Sequence, residues 1–84
     1  MSKNITALIF IIISTEPKSM QIPAENELTK IKGIKHIYEV LGNYDICVEV
    51  EAKSREELGE ILYSISTVKG VRAVSTFVVS KKVK

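Results

Sequence analysis

The pattern of hydrophobic and polar positions along the chain predicts four β-strands. The first covers residues 5–13, ITALIFIII, an unbroken apolar run rich in β-branched side chains, which is typical of a strand buried on both faces. Further apolar runs, bounded by glycine and polar clusters, predict strands at residues 34–41, 44–52 and 71–80. The polar stretch 14–21 connects the first strand to the next element.

Both predicted helices have apolar residues at helical spacing. The first is expected within residues 22–31, with Pro23 near its start, where a missing N–H costs little, and Gly33 after its end. The second begins after a capping box formed by Ser54 and Glu57. Its apolar face consists of Leu58, Ile61, Leu62, Ile65 and Val68.

An internal repeat predicts how these elements are arranged. The segment LTKIKGIKHI (28–37) aligns without gaps with ISTVKGVRAV (65–74), at an offset of 37 residues. The same offset places residues 5–13 on 42–50, so each half of the chain is one βαβ unit. Two such units with right-handed crossovers predict an α+β fold of the ferredoxin-like βαββαβ type, as a single domain over residues 1–84. Its four-stranded antiparallel sheet would carry both helices on one face.

The second face of this sheet is expected to be apolar around its central strand. The first strand is apolar on both sides, and in the third strand Cys47 shares a side with Glu49 and Glu51. A monomer would therefore expose an apolar patch large enough to imply a partner. We predict a dimer that forms through this sheet face with two-fold symmetry. One side of the last strand consists of Val71, Ala73, Phe77 and Val79.

Composition places the chain among soluble globular proteins. Of its 84 residues, 45% are hydrophobic and 26% are charged, and the formal net charge is +2. This charge is too weak to predict direct binding of nucleic acid, since the lysines are scattered outside the tail KKVK. The apolar run at 5–13 is far shorter than the roughly 20 residues of a membrane helix, so no membrane partner is expected. Cys47, the only cysteine, fits a cytoplasmic location, where thiols stay reduced.

The sequence carries no recognisable enzyme motif. It has no serine nucleophile elbow, no phosphate-binding glycine loop and no second histidine for a metal pair. We therefore predict that the chain is not an enzyme, needs no cofactor, and has no catalytic or metal-binding residues. One alternative stays open, in which His36 and Tyr38 form a catalytic site in a cavity between two sheets.

The turn GNYD, between the second and third predicted strands, is the candidate binding site. Gly42 and Asn43 suit a two-residue hairpin turn, because both tolerate positive φ. Tyr44 supplies apolar area and a hydroxyl group, and Asp45, when ionised, can only accept hydrogen bonds. Asp45 either accepts from nearby backbone amides and holds the hairpin, or receives a cationic group such as the α-ammonium of an amino acid. Both interpretations are compatible with the residues.

The segments YEVLGNYDICVEVEAKSREELGEIL and VKGVRAVSTFVV resemble the effector domain, or RAM domain, of the Lrp/AsnC transcription regulators. The resemblance covers roughly residues 5 to 80, and its most specific element is the Gly-x-Tyr-Asp turn. Asn43 stands where the family usually has an acidic residue, which alters the charge offered to a ligand. Thr76 matches a threonine of the family's last strand, whereas Val74 occupies a position where the family often has another threonine.

The resemblance implies an effector-binding and oligomerisation module that takes part in transcriptional regulation of amino-acid metabolism. It implies dimers formed by sheets packed face to face, their association into octamers or decamers, and amino-acid effectors bound between subunits. The family's helix-turn-helix is not found in these residues, so a stand-alone form without its own DNA-binding domain is expected. The alternative is co-assembly with full-length Lrp/AsnC regulators without a ligand. The ligand-binding residues expected from the resemblance are Gly42, Asn43, Tyr44, Asp45 and Thr76.

Overall fold

The computed structural model describes residues 4–14 and 21–84, and in these the predicted βαββαβ order is confirmed. The four strands form one antiparallel sheet in the order β2-β3-β1-β4. Most of the predicted polar connection at 14–21 lies outside the described residues. The elements are β1 (Ile5–Ile13), α1 (Gln21–Leu28), β2 (Ile34–Glu39), β3 (Ile46–Ala52), α2 (Arg55–Ser66) and β4 (Val71–Val78).

The first helix ends earlier than its apolar spacing predicts. After Leu28 the backbone bonds change to the shorter i to i+3 type, with Lys30 N–H donating to the Glu27 carbonyl and Ile31 N–H to the Leu28 carbonyl. Pro23 is the third residue of α1, where the backbone N–H would have no partner within the helix. Ile31 therefore packs against the core from a tightened turn that follows the helix.

The second helix begins at the predicted capping box. One of the two hydrogen bonds of the box is as expected, and the other has a donor one residue earlier in the chain. The Glu57 N–H donates to Ser54 Oγ at 3.1 Å, and Ser54 has the extended backbone of an N-cap. The Glu57 carboxylate accepts from the Lys53 N–H at 2.8 Å, and Lys53 is one position before Ser54, the usual donor of that bond. Both bonds satisfy donors that a helix start leaves free.

The core lies between both helices and one face of the sheet. The side chains of β1 alternate, so that one side is buried and the other is only half-buried. The prediction that β1 is buried on both faces is therefore wrong for a single protomer, because both helices pack on the same side. The residues that meet in the core include Ala7, Ile9, Ile11, Ala24, Leu28, Val48, Ile61 and Ile65.

The internal repeat is present in the backbone hydrogen bonds as well as in the sequence. The Ser14 N–H donates to the Gly70 carbonyl at 2.8 Å, and the Glu51 N–H donates to the Gly33 carbonyl at 3.0 Å. Donors and acceptors of these two bonds are each 37 residues apart, and both glycines have a φ of 100°. The two βαβ units therefore fold alike in the loop that follows each helix.

The two outer strands also carry equivalent irregularities. The register of β2 skips Lys35, and the register of β4 skips Arg72, so that each edge strand has a bulge at a basic residue. These two residues are again 37 positions apart. Charged bulges on edge strands oppose further strand pairing, and both edges of this sheet have one.

Candidate functional site

The sheet surface that faces away from the helices, called here the open face, is apolar on one half and polar on the other. Side chains from β1 and β4 make the apolar half, in which Phe77 is 57% exposed. The β2 and β3 half carries His36 and Glu49, whose Nδ1 and Oε1 atoms lie 3.2 Å apart. This distribution confirms the predicted mixture. Two rows across the sheet are Ser75–Phe10–Cys47–Tyr38 and Phe77–Leu8–Glu49–His36.

Three aromatic rings form a cluster on the apolar half. The ring of Phe10 lies 5.4 Å from that of Tyr44 and 5.8 Å from that of Phe77, the second pair meeting edge to face. The Tyr44 hydroxyl donates to Ser75 Oγ at 3.3 Å. The side chain of Tyr44 therefore connects the loop before β3 to the edge strand β4.

The connection between β2 and β3 is longer than the predicted two-residue hairpin turn. Glu39 and Ile46 are the last paired residues, and the loop of residues 40–45 between them is closed by Val40 N–H donating to the Asp45 carbonyl at 3.0 Å. Gly42 has a φ of 133°, whereas Asn43 does not have positive φ. The two-residue prediction is wrong because that turn needs positive φ at both central residues.

The side chain of Asp45 binds the end of β1 rather than its own hairpin. Its Oδ2 atom accepts from the Ile13 N–H at 2.8 Å, and its own N–H donates to the Ile11 carbonyl at 2.9 Å. β3 pairs with β1 only as far as Ile46 opposite Ile11, so Ile13 extends beyond β3 on that side. The carboxylate occupies the position where a strand carbonyl would otherwise accept. This hydrogen bond is one reason for an acidic residue directly before the buried strand β3.

The structure brings four of the five predicted site residues together and places the fifth on the other side of the sheet. Gly42 to Asp45 are continuous in the loop, whereas Thr76 pairs with the buried Ile9 and therefore shares the helix-covered face. Ser75, its neighbour in β4, reaches the open face instead. Sequence reasoning missed Ser75, although the period-two alternation of β4 assigns it to the same side as Phe77.

Cys47 lies on the open face and is nearly buried, at 9% exposure. Burial raises the pKa of its thiol, and the nearby Glu49 carboxylate raises it further. A thiol with a raised pKa stays protonated and is a poor nucleophile. Cys47 accordingly acts as a small apolar side chain between Phe10 and Tyr38.

Within residues 4–14 and 21–84, no three His, Cys, Asp or Glu side chains lie close enough together to hold a metal ion. No helix there is both long and apolar enough to cross a membrane. The cytoplasmic location stays a prediction.

The hydrogen bond between Tyr44 and Ser75 supports a first prediction. Tyr44→Phe and Ser75→Ala should each lower the free energy of unfolding by about 0.5–1.5 kcal/mol, because each removes one partner of a half-buried bond. The double variant should cost clearly less than the sum, and urea denaturation of the four proteins measures this coupling. Fully additive losses would show that the two hydroxyls do not interact.

A family model described as the Lrp/AsnC ligand binding domain matches residues 7–84 of this chain. Among solved structures, that of E. coli AsnC superposes with a TM-score of 0.85 at 22% identity, over 95% of this chain and 53% of that one. A transcriptional regulator from Neisseria meningitidis in complex with L-Met superposes with a TM-score of 0.84 at 16% identity, over 95% and 52%. At these identities the two structures show a common fold.

A comparison with curated proteins corrects one prediction. The homocitrate synthase of Sulfurisphaera tokodaii is 40% identical over 80 residues, which are 95% of this chain and 17% of that enzyme. The prediction that the chain is not an enzyme is contradicted by this match, because the relative is an enzyme by name. Catalytic motifs do not reveal such a relation, since the chain corresponds to 17% of that enzyme's length.

Proposed function

Because this chain belongs to the Lrp/AsnC ligand-binding domain family, we propose that it binds a free amino acid at the loop of residues 40–45 and acts as a regulatory module. One observation carries the proposal. The Ile13 N–H orients Asp45 through Oδ2, and the second oxygen, Oδ1, has no hydrogen bond to the described residues. A carboxylate oriented by one oxygen and open at the other can receive an α-ammonium group.

The rest of the loop suits the remaining parts of an amino acid. Among the described residues other than Gly42 and its two chain neighbours, no atom lies within 4 Å of the position that a Cβ on Gly42 would occupy, so a ligand can approach the backbone there. Tyr44 and Phe10 offer an apolar surface to a ligand side chain. Asn43 provides a neutral amide in place of an acid, which reduces repulsion of the ligand's carboxylate. L-Met is bound in the Neisseria meningitidis relative, which supports an amino acid as the ligand class.

The proposal includes self-association through the open face. Phe77 is 57% exposed and Tyr38 is 51% exposed, and Phe10 lies between their strands. Burying these rings against a second copy would remove apolar area from water. Thr76 faces away from the loop of its own protomer, so a contact between Thr76 and the effector requires a second subunit. Octamers, decamers and the stand-alone form stay predictions.

A second candidate function is favoured by the relation to homocitrate synthase. A module that is 40% identical to part of that enzyme can regulate such an enzyme, or associate with the related segment through the open face. Mixing this chain separately with the Sulfurisphaera tokodaii enzyme and with a full-length Lrp/AsnC regulator, followed by native mass spectrometry, distinguishes these partners. Hetero-oligomers with one of them identify the partner class, and the absence of both rejects co-assembly.

Calorimetric titration with the twenty amino acids tests the proposed function. We expect at least one to bind with a dissociation constant below about 1 mM, which corresponds to about −4 kcal/mol. The Asp45→Asn variant keeps an oxygen that can accept from Ile13 but loses the charge, so binding should weaken about ten-fold or more. Binding by none of the twenty, or equal binding by the variant, would reject Asp45 as the ammonium acceptor.

A further inference from the structure

A groove of about 670 Å³ lies at the end of the sheet opposite the loop of residues 40–45. It is lined by the residues after α1, the start of β2, the end of β3 and the face of α2 between Glu57 and Ser64. Glu51 in its lining is six residues along β3 from Asp45 in the loop, which is about 20 Å at the usual rise of a strand. Its volume lies within the range of about 300–1,000 Å³ that is usual for small-molecule sites.

The apolar part of the groove is formed by Ile31 and Ile61, and Ile61 is 4% exposed. Gly33 lies between them in the lining, with a φ of 100°. A Cβ added to Gly33 would lie 2.5 Å from Ile61 Cδ1, which is too short for a carbon–carbon contact. The backbone can therefore pack against Ile61 only because residue 33 is a glycine. An aliphatic part of a ligand can contact this surface.

Four lysines line the groove, and two of them have no anionic partner in the described part of the chain. Lys30 pairs with Glu27 at 3.1 Å, and Lys35 pairs with Glu51 at 3.8 Å. Both pairs are exposed and contribute little to stability. The two side chains without such a partner are those of Lys32 and Lys53.

The wall formed by α2 carries carboxylates instead. The Glu57 carboxylate already has a hydrogen-bond donor, because it accepts from the Lys53 N–H at 2.8 Å. Glu60 has no hydrogen bond or ion pair with the residues that the structure describes. The groove therefore offers two unpaired ammonium groups and one unpaired carboxylate around an apolar surface.

The internal repeat shows that the fold itself does not require these residues. At an offset of 37 residues, the position of Glu60 corresponds to Pro23 and that of Ile61 corresponds to Ala24. The first copy of the repeat thus builds a helix at the same place in the βαβ unit without the carboxylate and without the large side chain. The chemistry of the α2 wall is therefore particular to the second half of the chain, whereas Lys32 and Gly33 in the lining come from the first half.

We propose that this groove binds an amino acid with two carboxylates, of the glutamate class. Its ammonium group faces Glu60, its carboxylates face Lys32 and Lys53, and its methylene groups lie over Ile31 and Ile61. The ligand's charges, two negative and one positive, are the complement of the unpaired groups. The site is separate from the loop of residues 40–45 and does not depend on the proposed function.

Titration of the ¹⁵N-labelled full chain with L-glutamate, followed by NMR, tests the groove. We expect saturable shifts of backbone amides around Gly33 and Glu60 and none in the loop of residues 40–45. The double variant Lys32→Gln with Lys53→Gln should weaken binding about five-fold or more, since two ion pairs are lost. The matched control, Lys81→Gln with Lys82→Gln, removes the same charge from the C-terminal tail and should bind as the unchanged chain does.

Three results would overturn this assignment. The first is the absence of saturable shifts near the groove, or equal shifts with sodium chloride. The second is equally tight binding of glutarate, which lacks the ammonium group, or of the Glu60→Gln variant. The third is a shift pattern confined to residues 40–45, which supports the proposed function and rejects the groove. Asp45→Asn should leave glutamate binding at the groove unchanged, so the two sites can fail separately.

Discussion

Asp45→Ala is expected to destabilise the domain by about 1–3 kcal/mol, because it leaves the Ile13 N–H without its acceptor. Ile13 is 3% exposed, so water replaces the lost bond poorly. Urea denaturation measures the loss, and the unchanged slope of the transition would show that both proteins unfold from a similarly compact state. Local opening should increase most at the junction of β1 and β3, so hydrogen exchange of the neighbouring amides should become faster there.

Asp45→Asn is the matched control for this variant. Its side-chain oxygen can still accept from Ile13, so most of the stability should remain, apart from the stronger bond that a charged acceptor makes. If Asp45→Asn and Asp45→Ala bind no amino acid but differ in stability, the carboxylate has both a structural and a binding role. Stability unchanged in Asp45→Ala would contradict the importance of the bond to Ile13.

Gly33→Ala should be the more damaging of two alanine substitutions at glycines with positive φ. Left-handed backbone costs a residue with a side chain about 1–2 kcal/mol, and Gly33 has a φ of 100°. The new Cβ would also lie 2.5 Å from Ile61 Cδ1, and overpacking of this kind costs about 1–3 kcal/mol. We expect a total loss of about 2–4 kcal/mol in the free energy of unfolding, measured by thermal or urea denaturation.

Gly42→Ala separates the two causes. Gly42 has a φ of 133°, and an added Cβ would have no described residue beyond its chain neighbours within 4 Å, so only the backbone strain applies. The Ile61→Val substitution removes Cδ1 and should restore part of the stability of Gly33→Ala, giving a coupling that a double-mutant cycle measures. If both alanine variants lose the same free energy of unfolding, the Ile61 side chain moves to accommodate the new Cβ without destabilising the domain.

The order of the elements could be predicted because it depends on local patterns. The apolar run of residues 5–13 matches β1 at both ends, and the 37-residue repeat predicts the two βαβ units. The repeat proved more accurate than expected, since even the bulges at Lys35 and Arg72 are equivalent. Local propensity and tertiary packing agree at these positions, so the sequence suffices.

The candidate site was predicted only in part. The loop residues from Gly42 to Asp45 are adjacent in the chain, so their proximity needs no tertiary information. The bond from Ile13 to Asp45 joins residues 32 positions apart, and no local pattern contains it. The same is true of Tyr44 and Ser75, which meet across 31 positions.

The sequence by itself determined the class of the fold, the order of its six elements and the place of the loop that carries the candidate site. Tertiary structure decided which side of the sheet each β4 hydroxyl occupies, because strand register assigns faces and a shift of one residue exchanges them. It therefore separated Thr76 from the loop and brought Ser75 to Tyr44. It also decided that the Asp45 carboxylate holds β1, since that contact exists only once β1 extends past the end of β3.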